Sequence, residues 1–177
     1  KYSVWSDAYY MTANSFNDNA LAFDREKMIA GDPTASMIDM NFPNVANGGF
    51  RSPLPADCDG WLPPLGTPNY MVVLQDDAWS GVSDDHIKIV EMSIDWENPN
   101  NSSIAVTQQI NTESFDSVFT GPWNDIEQPN SSQRLDAVAM IFYYRAQYRR
   151  WVGYNTLVLT HVVDLGGLQA GIRWYEL

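Results

Sequence analysis

The chain has a single cysteine, Cys58, among 177 residues. One thiol excludes an intramolecular disulfide, so the fold must be held by its core rather than by covalent staples. Positive charge is also scarce: ten Lys and Arg face 22 Asp and Glu, a formal net charge of −12. That balance excludes nucleic acid and anionic membrane as partners, because both need a basic surface. No apolar run approaches the ~20 residues that span a bilayer as a helix. No signal-peptide pattern is visible, and the chain starts at Lys1 and stops at Leu177, which reads as the end of a strand. Phosphate-cradling glycine loops are missing; Asn47-Gly48-Gly49 and Gly166-Gly167 are turn signals. The two histidines, His86 and His161, have no metal-ligand spacing, and no Ser-His-Asp order can be singled out.

Aromatic residues, by contrast, are abundant. Seven Trp and nine Tyr suit half-buried strand surfaces, and 45% hydrophobic content argues for an ordered core. The strongest pattern is a strand pair repeated three times: Ala8–Ala13 with Ala20–Arg25, Asn69–Leu74 with Ile87–Trp96, and Thr156–Val163 with Ala170–Leu177. Polar, Gly-rich or Asp-rich turns separate each pair. Such repetition predicts an all-β fold of antiparallel sheets, about three blades of a larger β-propeller over residues 1–177. The approximate blades are 1–50, 51–112 and 113–177. Equivalent positions lie 71 and 81 residues apart (Asp24 to Asp95, Asp95 to Glu176). Compact blades repeat every ~40–50 residues, so these carry long loops.

Within that frame, Asp24–Gly31 reads as one helical turn ended by Gly31, with the helix at Arg25–Ala30. Met37–Phe42 and Ile104–Ile110 read as outer strands, and the segment from Asn44 to Pro68 as ordered loop around one inner strand. Ser114–Ser132 reads as loop, and Asp136–Trp151 as two strands joined near Tyr144–Gln147. Tyr10, Val72 and Leu159, each in the second strand of its blade, are expected to be buried.

The candidate sites are carboxylate clusters. Asp57-Cys58-Asp59-Gly60 has the D-x-D-G look of a hard-cation loop, so Asp57 and Asp59 are the candidate Ca²⁺ ligands, with a plain Asp turn as the bland alternative. Asp76-Asp77 and Asp84-Asp85 flank one loop and offer a second set. Zinc is not expected, because imidazole and thiolate donors are scattered. Cys58 lacks a basic neighbour and reads as a small packed group. A sialidase-like site would need Arg clamps, a Tyr nucleophile and an acid; Arg134, Arg145, Arg173, Tyr175 and Asp57 or Asp136 are the residue types present. No nucleophile and base stand at a recognisable spacing, so no catalytic residue is assigned. Asn101-Ser102-Ser103 and Asn130-Ser131-Ser132 fit the N-glycosylation pattern, and Asp116-Ser117-Val118 an Asp-Ser-apolar O-glycosylation pattern.

Several phrases carry a resemblance: Lys1–Tyr10, Ala22-Phe23-Asp24-Arg25, Leu54–Gly60, Pro68-Asn69-Tyr70, Gln133–Ala137, His161–Asp164 and Ala170–Leu177. In these the chain resembles secreted bacterial multi-domain proteins, common in Bacteroidetes, with a sialidase-like or BNR-like β-propeller. The resemblance implies further blades of the same chain on both sides and export to the cell surface in the manner of type IX secretion cargo. The Ser-x-Asp-x-Gly-x-x-Trp box of sialidases is missing, which argues against that activity. The resulting expectation is a non-catalytic, adhesin-like module binding carbohydrate or protein, or a passenger of the secretion machinery. The rival is a glycoside-hydrolase-like enzyme with its site in the channel. The expected partners are the remaining blades, carbohydrate and surface or secretion proteins. As an open fragment, the chain is expected to aggregate alone.

Overall fold

Alternation of inward and outward side chains builds the first sheet. A computed structural model describes residues 1–14, 19–48, 53–119, 125–167 and 169–177. In it β1 (Tyr2–Val4), β2 (Ala8–Thr12), β3 (Asn19–Asp24) and β4 (Met37–Asn41) pair antiparallel in sequence order. Ala8, Tyr10 and Thr12 of β2 point inward, while Tyr9 and Met11 are half-buried. The expected helix is present as α1 (Arg25–Ala30). The Asp24 side chain accepts from the Lys27 N–H at its start, and Gly31, at φ 67°, ends it in a left-handed conformation that favours glycine.

A second meander follows the same rule: β5 (Leu54–Asp59), β6 (Asn69–Gln75), β7 (His86–Ser93) and β8 (Ser103–Asn111). A small hairpin of β9 (Ile126–Gln128) and β10 (Ser131–Leu135) stands apart. The third meander is β11 (Ala146–Arg150), β12 (Asn155–Asp164) and β13 (Ala170–Glu176). The protein is all-β, and among the described residues the sheets do not close into a barrel or ring.

Antiparallel pairing has one exception. β11 runs parallel to β5, matching Gln147 to Asp57 and Arg149 to Asp59, and this seam fuses two meanders into one seven-stranded sheet. Parallel neighbours need a long connection, and everything from β6 to β10 lies between them. β1 lies against β5 as well. The first strands of all three meanders therefore meet at one place.

The core behaves as expected at the three test positions. Tyr10, Val72 and Leu159 are 0%, 1% and 1% exposed. Other expectations need correction. The segment read as loop over 114–132 contains β9 and the start of β10. The segment 136–151 yields one strand, β11, and no regular structure from 136 to 145; its Ala137, Ala139 and Phe142 are buried without pairing into a ladder. The strand read to Trp96 ends at Ser93, where the Asp95 carboxylate takes the Glu97 and Asn98 N–H groups and turns the chain. Trp79, in the polar loop between β6 and β7, is buried at 7% exposure.

Trp79 is covered by Gly48. A Cβ on Gly48 would lie 2.6 Å from Met140 Sδ and 2.8 Å from Trp79 Cε2. The thioether can swing aside; the indole ring cannot. Gly48→Ala is therefore expected to cost about 1–3 kcal/mol by overpacking, and Leu159→Ala about 2–5 kcal/mol by opening a cavity. Urea denaturation measures both, and an unchanged midpoint in either variant contradicts this packing.

Candidate functional site

Because β5 is extended, Asp57 and Asp59 share one face and Cys58 takes the other. The cation between the two carboxylates is Arg145. Its Nη1 donates to Asp57 Oδ2 at 2.8 Å and its Nη2 to Asp59 Oδ2 at 2.5 Å. Asp57 Oδ1 accepts the Val4 N–H of β1 at 2.8 Å, and Asp59 also accepts from Gln147 Nε2. The Gln147 bond and the Arg145 fork hold the Asp59 carboxyl below its usual range, and the bonds to Asp59 and Asp57 raise Arg145. Binding of Ca²⁺ at Asp57 and Asp59 requires the guanidinium to leave. Cys58 donates to the Trp61 carbonyl at 3.3 Å, and burial, then the charges of Asp57 and Asp59, push its thiol up. It is no thiolate.

The second carboxylate set is tighter. Asp76, Asp77 and Asp85 bring ligand oxygens within 4.8 Å of one another. Two of the three are already filled by donors. Asp76 accepts from the Ala78 and Ser117 N–H groups and the Ser117 hydroxyl. Asp85 accepts from the Asp77 and Phe115 N–H groups and the Ser114 hydroxyl. These buried carboxylates staple segment 112–117 onto the β6–β7 turn, the use that orphaned N–H groups demand. The exposed Asp77 carboxyl is raised, first by the Asp85 charge. Ser117 is 0% exposed, so its hydroxyl is inaccessible to a glycosyltransferase, whereas Asn101 and Asn130 are exposed.

The residues that a sialidase-like site would need do not gather in one site: Arg145 forks Asp57 and Asp59, while Arg173 stands beside Tyr175. Arg134 pairs with Glu127 on the small hairpin at 3.1 Å. Arg173 donates to the Glu113 and Ser114 carbonyls and lies over the Phe115 ring. Asp136 takes the Val138 N–H. Tyr175 does meet an imidazole: its hydroxyl is 3.1 Å from His161 Nε2, with the rings stacked at 5.6 Å. His161 is fully buried between Phe115 and Phe142. Burial lowers His161 to about 4 and raises the Tyr175 phenol. A weak base beside a reluctant phenol is the reverse of an activated nucleophile. His86 bonds the Asp84 carbonyl through Nδ1 at 2.6 Å.

The site that the sequence did not reveal is a groove of about 470 Å³ between α1, the Ser6-Asp7 turn and the chain after β7. Asp7, Asp24, Glu26 and Asp32 line it together with Lys27, Leu65 and Trp96. The Trp96 indole N–H donates to the Asp7 carbonyl at 3.1 Å, which fixes the ring at the wall. Both Asp7 carboxylate oxygens are within reach of the Tyr10 hydroxyl, at 3.2 and 3.1 Å, and burial raises this carboxyl. Only the Asp24 cap signal was visible beforehand. Trp96 stands far away in sequence, and nothing local ties it to Asp7.

His161 makes stability depend on pH. Its folded pKa, about 4, lies below the unfolded value near 6.5. Between those values the unfolded chain binds more protons, so stability is full above about 6.5 and falls as pH drops toward 4. The loss should be roughly 3 kcal/mol. Denaturant melts at pH 7 and 4.5 should show a smaller loss in His161→Phe than in the parent chain. Equal losses contradict the burial of a neutral imidazole.

No family model, curated protein or solved structure matches the chain.

Proposed function

We propose that the chain is a non-catalytic binding module for carbohydrate or protein, forming about three blades of a larger β-propeller on an exported or surface-attached bacterial protein. Three meanders whose first strands meet support the blade reading, and they fall within 1–50, 51–112 and 113–177. The outer strand β13 leaves Ile172 and Trp174 each 64% exposed, as a sheet awaiting a neighbour would. Type IX-like export is carried by the phrases of the sequence resemblance, such as Lys1–Tyr10.

The observation that carries the binding reading is the groove. It offers an indole wall and acceptor-only carboxylates, so its ligand must bring donors and some apolar surface. The hydrolase reading keeps one specific support: Asp7 is a carboxyl raised by burial beside other carboxyls, as a general acid would be.

One experiment separates them. The protein is presented to a glycan and peptide array, and in parallel to aryl glycosides and sialosides. Saturable binding without turnover is expected, weakened at least about tenfold, a loss of about 1.4 kcal/mol, in Trp96→Ala. Turnover that disappears in Asp7→Asn would overturn the non-catalytic reading.

A further inference from the structure

The groove has a sign. Four carboxylates line it against one ammonium, in a chain that carries −12 overall. That lone ammonium belongs to Lys27 and already leans on Asp24, with Nζ 3.7 Å from Oδ2. The protein's own chain thus supplies a tethered example of what the groove holds. Lys27 is shared between Asp24 and Asp32 and does not reach the full count: Glu26 is exposed and Asp7 lies on the same walls, so four carboxylates face one ammonium. Leu65, 81% exposed, and the Trp96 indole add apolar surface suited to a methylene stem.

Resting on the groove as the binding site, we propose that its ligands carry an organic cation, an ammonium or guanidinium on an aliphatic stem. The charge decides between ligand classes. A neutral hydroxyl gains only hydrogen bonds to carboxylates that Tyr10, Lys27 and Thr34 already engage in part. A cation gains the field of the whole wall at once, in a recess that water screens less than an open surface. The indole adds a second attraction, since a cation within about 6 Å of the ring centroid is drawn to its face. The same chemistry comes from a Lys or Arg side chain of a protein partner or from a free amine.

The test titrates the full-length protein with cadaverine, with an acetylated Gly-Lys-Gly amide peptide, with the Nε-acetyl form of that peptide, and with 1,5-pentanediol and maltose. The Trp96 indole N–H resonance is the readout. Cadaverine, the lysine peptide or both should shift it saturably, and the uncharged analogues should not. Raising salt from 20 to 300 mM should weaken binding several-fold. Glu26→Gln should weaken it about three- to tenfold, whereas Lys27→Gln, which removes the internal competitor, should tighten it by a similar factor. Opposite signs from the exposed Glu26 and the half-exposed Lys27 cannot arise from misfolding. Binding of the peptide alone assigns a protein partner; binding of cadaverine alone assigns a small amine. Equal binding of the neutral analogues, or shifts of the same sign in both variants, overturns the proposal. Binding of maltose without the cations refutes the cation while leaving the groove as the site. Silence from every probe removes both.

Discussion

One carboxylate connects the three meanders. Asp57 sits on β5, takes the Val4 N–H of β1 on one oxygen and one arm of the Arg145 guanidinium, just before β11, on the other. It is 5% exposed, and a charge that deep is tolerable only when its oxygens are filled. Filling them fixes where the three first strands lie along one another. A slip of one residue would turn Asp57 to the opposite face and bury it unpaired. Bonds around the junction depend on the same registration: Thr12 Oγ1 to the Pro53 carbonyl at 2.5 Å, Trp5 Nε1 to the Thr67 carbonyl at 3.0 Å and Lys1 Nζ to the Phe142 carbonyl at 3.1 Å.

Farther out, buried carboxylates do a similar job by other means. Asp76 and Asp85 hold an irregular stretch by its N–H groups, and that stretch brings Phe115 against His161. In a chain so rich in Asp, most of the acidic residues that look like ligands are satisfied by the protein's own donors. The groove differs. There Asp7, Asp24 and Asp32 also take the protein's own donors, but four carboxylates share one cavity with a single ammonium, and Glu26 is exposed. Who supplies the donors to an aspartate is a three-dimensional fact.

That distinction marks how far the sequence could be read. Strands dense in β-branched and apolar residues, such as Asn69–Gln75 and Asn155–Asp164, were legible, and so was α1, because Asp24 and Gly31 are its own cap signals. The parallel seam was not, since nothing in Ala146–Arg150 names Leu54–Asp59 as its neighbour. For the same reason Asp57 and Asp59 read as cation ligands: their partner, Arg145, is 86 to 88 residues away. Residues 136–145 misled because burial there comes from irregular backbone, which has no period. The groove was hidden by distance, with Asp7 and Trp96 joined by a bond across 89 residues.

The junction is the centre of this account, and a double-mutant cycle at Asp57 and Arg145 tests it most directly. Asp57→Leu strands the Val4 N–H and leaves the guanidinium to Asp59 alone; Arg145→Met removes the cation from a buried carboxylate. Each single change should cost about 2–3 kcal/mol, less than for a fully buried pair because Arg145 is partly exposed. The double variant should lose less than the two singles together, by about 1 kcal/mol or more. Small and additive losses would show that the three meanders are held together elsewhere.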